Sequence, residues 1–118
     1  MIVKRFVPAN NQTAVLGKHN WSVPRLFELA KDLEVMEIPL EHINMYYKYE
    51  SLTLREMTGH IVAVNEADLG FPIILDEDGE IMDGRHRLMK AIINGEKTIK
   101  AVRFKDNPSP CSITEASN

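Results

Sequence analysis

Five consecutive residues, Asp83-Gly84-Arg85-His86-Arg87, carry the side chains of this chain best suited to chemistry. Arg85 and Arg87 offer planar donors matched to phosphate oxygens, and His86 is a further donor or a proton carrier near neutral pH. The five stand at the mouth of an expected helix, where first-turn N–H groups lack intrahelical partners and the helix dipole adds partial positive charge. Gly84 has no side chain to hold a ligand away from the main chain. Together they describe an anion site, most naturally one for phosphate. Each cation at a helix N-terminus opposes the dipole by about 0.3 to 1 kcal/mol, so an anion absent from the sequence itself would account for three basic side chains there. The competing reading is structural: Asp76, Asp78 or Asp83 neutralises the arginines, as ion pairs commonly do.

The elements that must position this pentad run from Pro72 to Phe104. Ile73, Ile74 and Leu75 form an uninterrupted apolar run, as in a strand covered on both faces. Glu77-Asp78-Gly79 supplies turn chemistry, with Gly79 free to take positive φ, and Ile81 and Met82 return as the partner strand. Asp83 is then the expected N-cap of a helix over 84–94 that buries Leu88, Ala91 and Ile92, with Gly95 as its C′ stop. A last strand is expected over Thr98–Phe104. Upstream, Thr53 and Glu56 have capping-box spacing and open a helix over 53–66, whose stripe of Leu54, Met57, Ile61 and Val64 reads as a buried face and which stops before Gly70. VMEIPLEHI reads as a short strand that Pro39 marks as an edge or a bend. Ser22 and Pro24 open an earlier helix with Leu26, Phe27, Ala30 and Leu33 turned to the core. MIVKRFVP reads as an outer strand ended by Pro8, residues 9–21 as a loop anchored by Trp21, and residues 105–118 as a frayed tail.

Composition narrows the class. A chain of 118 residues suits one domain that buries roughly two-thirds of its unfolded surface. No apolar run approaches the ~20 residues of a membrane span, and the N-terminus lacks the long apolar core of a secretory signal, so the expectation is cytoplasmic, with no membrane partner. The single cysteine, Cys111, excludes an internal disulfide and falls in a polar stretch. With 14 basic and 17 acidic side chains the net charge is −3, which opposes broad binding to duplex nucleic acid, although a local patch can still meet phosphate. His19, His42, His60 and His86 lack the paired spacing of H-E-x-x-H, and Ser22, Ser51 and Ser112 lack a nucleophile-elbow context; no protein-held metal is expected. Met45, Tyr46, Tyr47 and Tyr49 read either as a base-stacking surface or, more simply, as a lid packed on the core.

The segment ILDEDGEIMDGRHRLMKAI resembles the ParB/sulfiredoxin superfamily, whose members share a strand, a hairpin and a Gly-x-x-Arg helix start. MEIPLEHI resembles the opening strand of that family, and the helix after Thr53 its next element, so the likeness covers about Val35 to Phe104. It implies an α+β fold, a compact single domain with a small mixed sheet and about three helices. The chain then divides into an N-terminal strand, loop and helix extension (1–34), the ParB/sulfiredoxin-like domain (35–104) and a flexible tail (105–118). In that family the Gly-x-x-Arg turn binds nucleotide phosphates, a role that falls here on Gly84 and Arg87, flanked by Asp83, Arg85 and His86.

Departures from the family pattern separate its branches. Sulfiredoxins place a catalytic cysteine directly after the motif glycine; Arg85 stands there, which excludes that activity. Partition proteins follow the domain with DNA-reading and dimerisation domains, which residues 105–118 do not supply. The ADP-dependent serine kinases have Asp-Gly-His-His-Arg, matched by this chain at four of five positions. By position, Glu50 corresponds to their general base, with His86 a second catalytic candidate; the plain alternative for Glu50 is a solvated loop carboxylate. Two readings follow from the resemblance. One is a nucleotide-dependent enzyme taking ADP, ATP or CTP with Mg2+ for hydrolysis or phosphoryl transfer, Glu50 or Asp76 assisting. The other is a non-catalytic module binding nucleotide or nucleic-acid phosphate in DNA maintenance or regulation.

Overall fold

The hairpin that begins at Pro72 supplies two of the four strands of the main sheet, and an apolar cluster lies on each face of that sheet. A computed structural model describes residues 13–16, 19–46 and 51–113. In chain order the elements are β1 (Thr13–Leu16), β2 (His19–Ser22), α1 (Val23–Ala30), β3 (Met36–Pro39), a 3-10 turn (Leu40–His42), α2 (Leu54–Glu66), β4 (Ile73–Leu75), β5 (Ile81–Asp83), α3 (Arg85–Ile93), β6 (Thr98–Arg103) and β7 (Ser112–Ile113). The outer strand expected over residues 1–8 falls outside the described residues.

The main sheet has the order β3-β6-β4-β5. β3 pairs antiparallel with β6, β6 parallel with β4, and β4 antiparallel with β5, with a register shift between Ile74 and Leu75. The domain is therefore α+β, with three helices among the described residues and a four-stranded mixed sheet. β3 is an edge strand that closes on Pro39, where a missing N–H is tolerated. The turn between β4 and β5 is built by Asp76: its Oδ1 accepts the N–H groups of Asp78 and Glu80 at 2.9 and 2.8 Å. Gly79, at φ 83°, donates to the Asp76 carbonyl at 3.0 Å.

All three residues of β4 are buried, as a strand covered on both faces requires. Alternation along the strand sends Ile74 to one side and Ile73 and Leu75 to the other, so the sheet separates two apolar layers. On one side Ile74, Met82, Val102 and Phe104 meet Ala14, Trp21, Val23, Leu26 and Ala30. On the other, Ile73, Leu75, Ile81, Ile99 and Ala101 meet Leu88 and Ala91 of α3 together with Leu40 and Ile43. The α1 stripe read from the sequence is in place: Leu26 and Ala30 are buried, and Phe27 and Leu33 pack against the same cluster.

Four readings need correction. Within the loop expected over residues 9–21, Thr13–Leu16 and the residues from His19 onward are strands β1 and β2, paired antiparallel. With β7 these strands make a separate three-stranded sheet, whose Trp21 packs in the apolar cluster on one face of the main sheet. Residues 105–113, expected to fray, are tied down through hydrogen bonds that composition does not reveal. The Trp21 indole donates to the Pro108 carbonyl at 2.9 Å, the Cys111 N–H to Asn20 at 2.7 Å, and Glu77 N–H to the Asn107 side chain at 2.8 Å. The α2 stripe is not a buried face: Val64 is buried, whereas Leu54, Met57 and Ile61 are exposed. Helical spacing fixes which residues share a face but not what that face meets. For the same reason Ile92 of α3 is exposed while Leu88 and Ala91 are buried. The Thr53–Glu56 capping box that opens α2 is present in both directions, and α2 ends at Glu66, short of Gly70.

Candidate functional site

The turn from β5 into α3 is set by Gly84, at φ 112° and ψ 21°. A Cβ at this position would lie 2.4 Å from Cγ2 and 2.8 Å from Cβ of Ile73. Glycine is required here by left-handed backbone and by contact with β4, so the open side of Gly84 faces the core rather than a ligand. Gly84 itself is the N-cap, and Asp83, expected in that role, is the last residue of β5. The glycine brings no capping side chain to the first turn of α3. The far end of α3 is closed by a Schellman pattern, with Gly95 N–H to Ile92 at 3.1 Å and Glu96 N–H to Ala91 at 2.9 Å.

Asp83 is freed for another task. Its Oδ2 accepts from Nη2 of Arg87 at 2.5 Å, and the two side chains are 18% and 7% exposed. The Arg87 guanidinium also lies 5.9 Å from the centroid of Phe27 on α1, within cation–π reach. Burial pushes the Asp83 carboxyl above its usual range, with Arg87 and then His86 pulling the other way. Burial likewise lowers the Arg87 guanidinium, and Asp83 offsets that. Each ion is thus held in a dry place by the other, and removal of one would strand its partner. This is the neutralising network that the sequence offered as the structural reading, with Asp83 as its acid. Asp76 is committed to the hairpin turn through Oδ1, and Asp78 is exposed in that turn.

His86 points to α2. Its Nε2 lies 2.8 Å from Nδ1 of His60, with ring centroids 5.1 Å apart and tilted by 37°. Burial, and then His60, hold the His86 imidazole below its ordinary value, which favours the neutral ring at pH 7. Lys90, one turn further along α3, donates from Nζ to the carbonyls of Asn65 and Ala67 at 3.0 and 2.6 Å and so closes the C-terminus of α2. Arg85 stays half-exposed at the helix mouth.

The structure thus divides the pentad. Arg87 and Asp83 face inward as an ion pair, His86 joins α2, and Arg85 stays half-exposed at the helix mouth. Glu50, with Tyr47 and Tyr49, falls outside the described residues. Met45 and Tyr46 are exposed, Tyr46 at 91%, so neither packs as a lid on the core. His60, Phe27 and Lys90 were not among the sequence candidates. His60 had a signal, because it stands four residues before Val64 and therefore on the inner side of α2; Phe27 read only as a core residue of the first helix, and Lys90 had no signal. Among the described residues no three His, Cys, Asp or Glu side chains gather to hold a metal ion. Comparison of the sequence with models of known protein families and with curated proteins finds no match in either.

Proposed function

We propose that the chain is a phosphate-binding module of the ParB/sulfiredoxin-like kind, which takes the phosphates of a nucleotide at the N-terminus of α3. One observation carries this reading. Gly84, pinned on Ile73 at positive φ, turns the chain from β5 straight into α3 and brings no capping side chain to a first turn that carries Arg85 and His86. Backbone N–H groups with an arginine at the rim suit a phosphate's oxygens in geometry and charge. The order of strand, helix, hairpin, helix and strand over residues 36–103 supports the same reading, since it is the order the resemblance implies.

Within this site the residues have distinct duties. Arg85 contacts the anion. Arg87 and Asp83 hold the helix start against α1, and His86, neutral and tied to His60, donates or accepts one proton beside the bound phosphate. Mg2+ would enter with the nucleotide, as the counter-ion of its phosphates. Binding, rather than phosphoryl transfer, is the activity these residues support.

Thermal unfolding with ADP, ATP, CTP or GTP, with and without Mg2+, tests the proposal. A nucleotide at about 100 times its dissociation constant adds roughly 2.7 kcal/mol of stability. Arg85→Ala is expected to remove most of that gain while leaving the ligand-free midpoint unchanged. If no nucleotide and no inorganic phosphate shifts the wild-type midpoint, the site is not a phosphate site. Release of phosphate during the same incubations would add an enzymatic step to the binding reading.

A further inference from the structure

α2 is held on α3 unevenly along its length. Every residue from Leu54 to Gly59 is exposed, His60 is the first that is half-covered, and Val64 is the one buried residue of the helix. An open groove of about 480 Å3 runs between the two helices, with Met57 and Ile61 on one wall and Met89, Ile92 and Ile93 on the other. The C-terminal end of α2 is tied down separately. Lys90 Nζ donates to the carbonyls of Asn65 and Ala67 at 3.0 and 2.6 Å, and Leu69, just beyond the helix, packs against the cluster that holds Leu88 and Ala91. The contact between His60 and His86 thus secures the middle of the helix, and the turns before it rest on that contact.

That contact depends on charge. Facing ring nitrogens 2.8 Å apart need one N–H between them. Two neutral rings supply it, and so do one neutral and one protonated ring, because one nitrogen donates and the other accepts. Two imidazolium rings set donor against donor and leave no acceptor. The surroundings of His86 oppose its charge: burial first, then His60 on α2, with Arg85 and Arg87 on its own helix adding to them. Asp83 on β5 acts the other way, but its carboxylate is shared with Arg87. We propose that the His60–His86 contact is an acid-operated latch: when both rings are protonated it breaks, and α2 turns away from α3 about its C-terminal end while the sheet stays folded. The latch is closed at neutral pH and opens as the pH falls below the ordinary imidazole value of 6.5. It does not rest on the phosphate reading, and its opening widens the apolar groove between the helices.

Hydrogen exchange of the ligand-free full chain, resolved by residue and corrected for the pH dependence of the exchange chemistry, tests this. A helix of 13 residues is marginal in water once it leaves its partner, so release is read as lost protection. Between about pH 7 and about pH 5 the amides of α2 are expected to lose about tenfold more protection than those of β4 and β6. His86→Gln and, separately, His60→Gln keep a side chain that can hydrogen-bond but cannot titrate, and each should abolish that excess. Both positions are half-covered rather than buried, and circular dichroism at pH 7 checks that each variant folds. Equal loss in α2 and the sheet, or no loss, overturns the proposal, because no separate movement of α2 then follows acidification. An excess that survives both substitutions overturns it equally, because another group then drives it. With no nucleotide present, neither result bears on phosphate binding.

Discussion

Gly84 shows how one residue can serve two requirements at once. Its φ of 112° is a conformation L side chains rarely adopt, and the space above its Cα is filled by Ile73. Gly84→Ala is therefore expected to lose about 2 to 5 kcal/mol, combining backbone strain with overpacking. Urea denaturation measures this, and a variant as stable as wild type would show that the turn does not need glycine. His86 governs a different property. Burial, then His60, hold its pKa below the ordinary 6.5, so the unfolded chain takes up a proton at higher pH than the folded one. The stability that depends on the neutral ring is complete above about pH 6.5 and is lost as the pH falls from there through the folded value. Protonation of both facing nitrogens would also set two donors against each other across 2.8 Å. Denaturation midpoints should accordingly drop between about pH 7 and pH 5, and His86→Gln should flatten that slope. Equal slopes in the two proteins would place the pH dependence elsewhere.

At the scale of elements, the segment after β6 is a strap rather than a tail. It runs under Trp21 and Arg25, whose side chains donate to the carbonyls of Pro108 and Ser109, and it ends as β7 on β2. The Cys111 thiol accepts from the Ser22 N–H and from Arg25, both at 3.4 Å, which lowers its pKa. A chain ending after Phe104 would leave the buried indole N–H without its acceptor. The expected loss is about 1 to 3 kcal/mol for the stranded donor alone. Trp21 is the chain's single tryptophan, so its fluorescence reports the change directly. A red-shifted emission is expected, and an unchanged spectrum would mean that the strap does not shield the ring.

The whole molecule is a sheet held between two apolar layers, each with a different source. The layer carrying α3 is built from residues 38–101. The layer carrying α1 and the β1–β2 hairpin comes from the residues before it. The N-terminal extension is therefore part of the core, since without it Ile74, Met82, Val102 and Phe104 would face water. Its described residues cover the face of the sheet opposite α3, and β1 and β2 pair in the separate three-stranded sheet. Arg87 links the two halves, paired with Asp83 at the end of β5 and lying over Phe27 of α1. A net charge of −3 opposes broad binding to duplex DNA, so the expected gel-shift affinity is weak and salt-sensitive.

What the sequence determined by itself was local: the β4–β5 hairpin around Gly79, the capping box at Thr53, the stop at Gly95, and the inward face of α1. Each rests on chemistry within a few residues, where spacing and backbone preference suffice. Tertiary structure alone decided how the pentad divides. Asp83 left the capping role to Gly84 and took Arg87 as its ion partner, and His86 met His60 from 26 positions away. It also decided that the α2 stripe lies outside while the strap after Phe104 lies against Trp21. These outcomes depend on which surfaces meet across the sheet, and periodicity along one element carries no record of that.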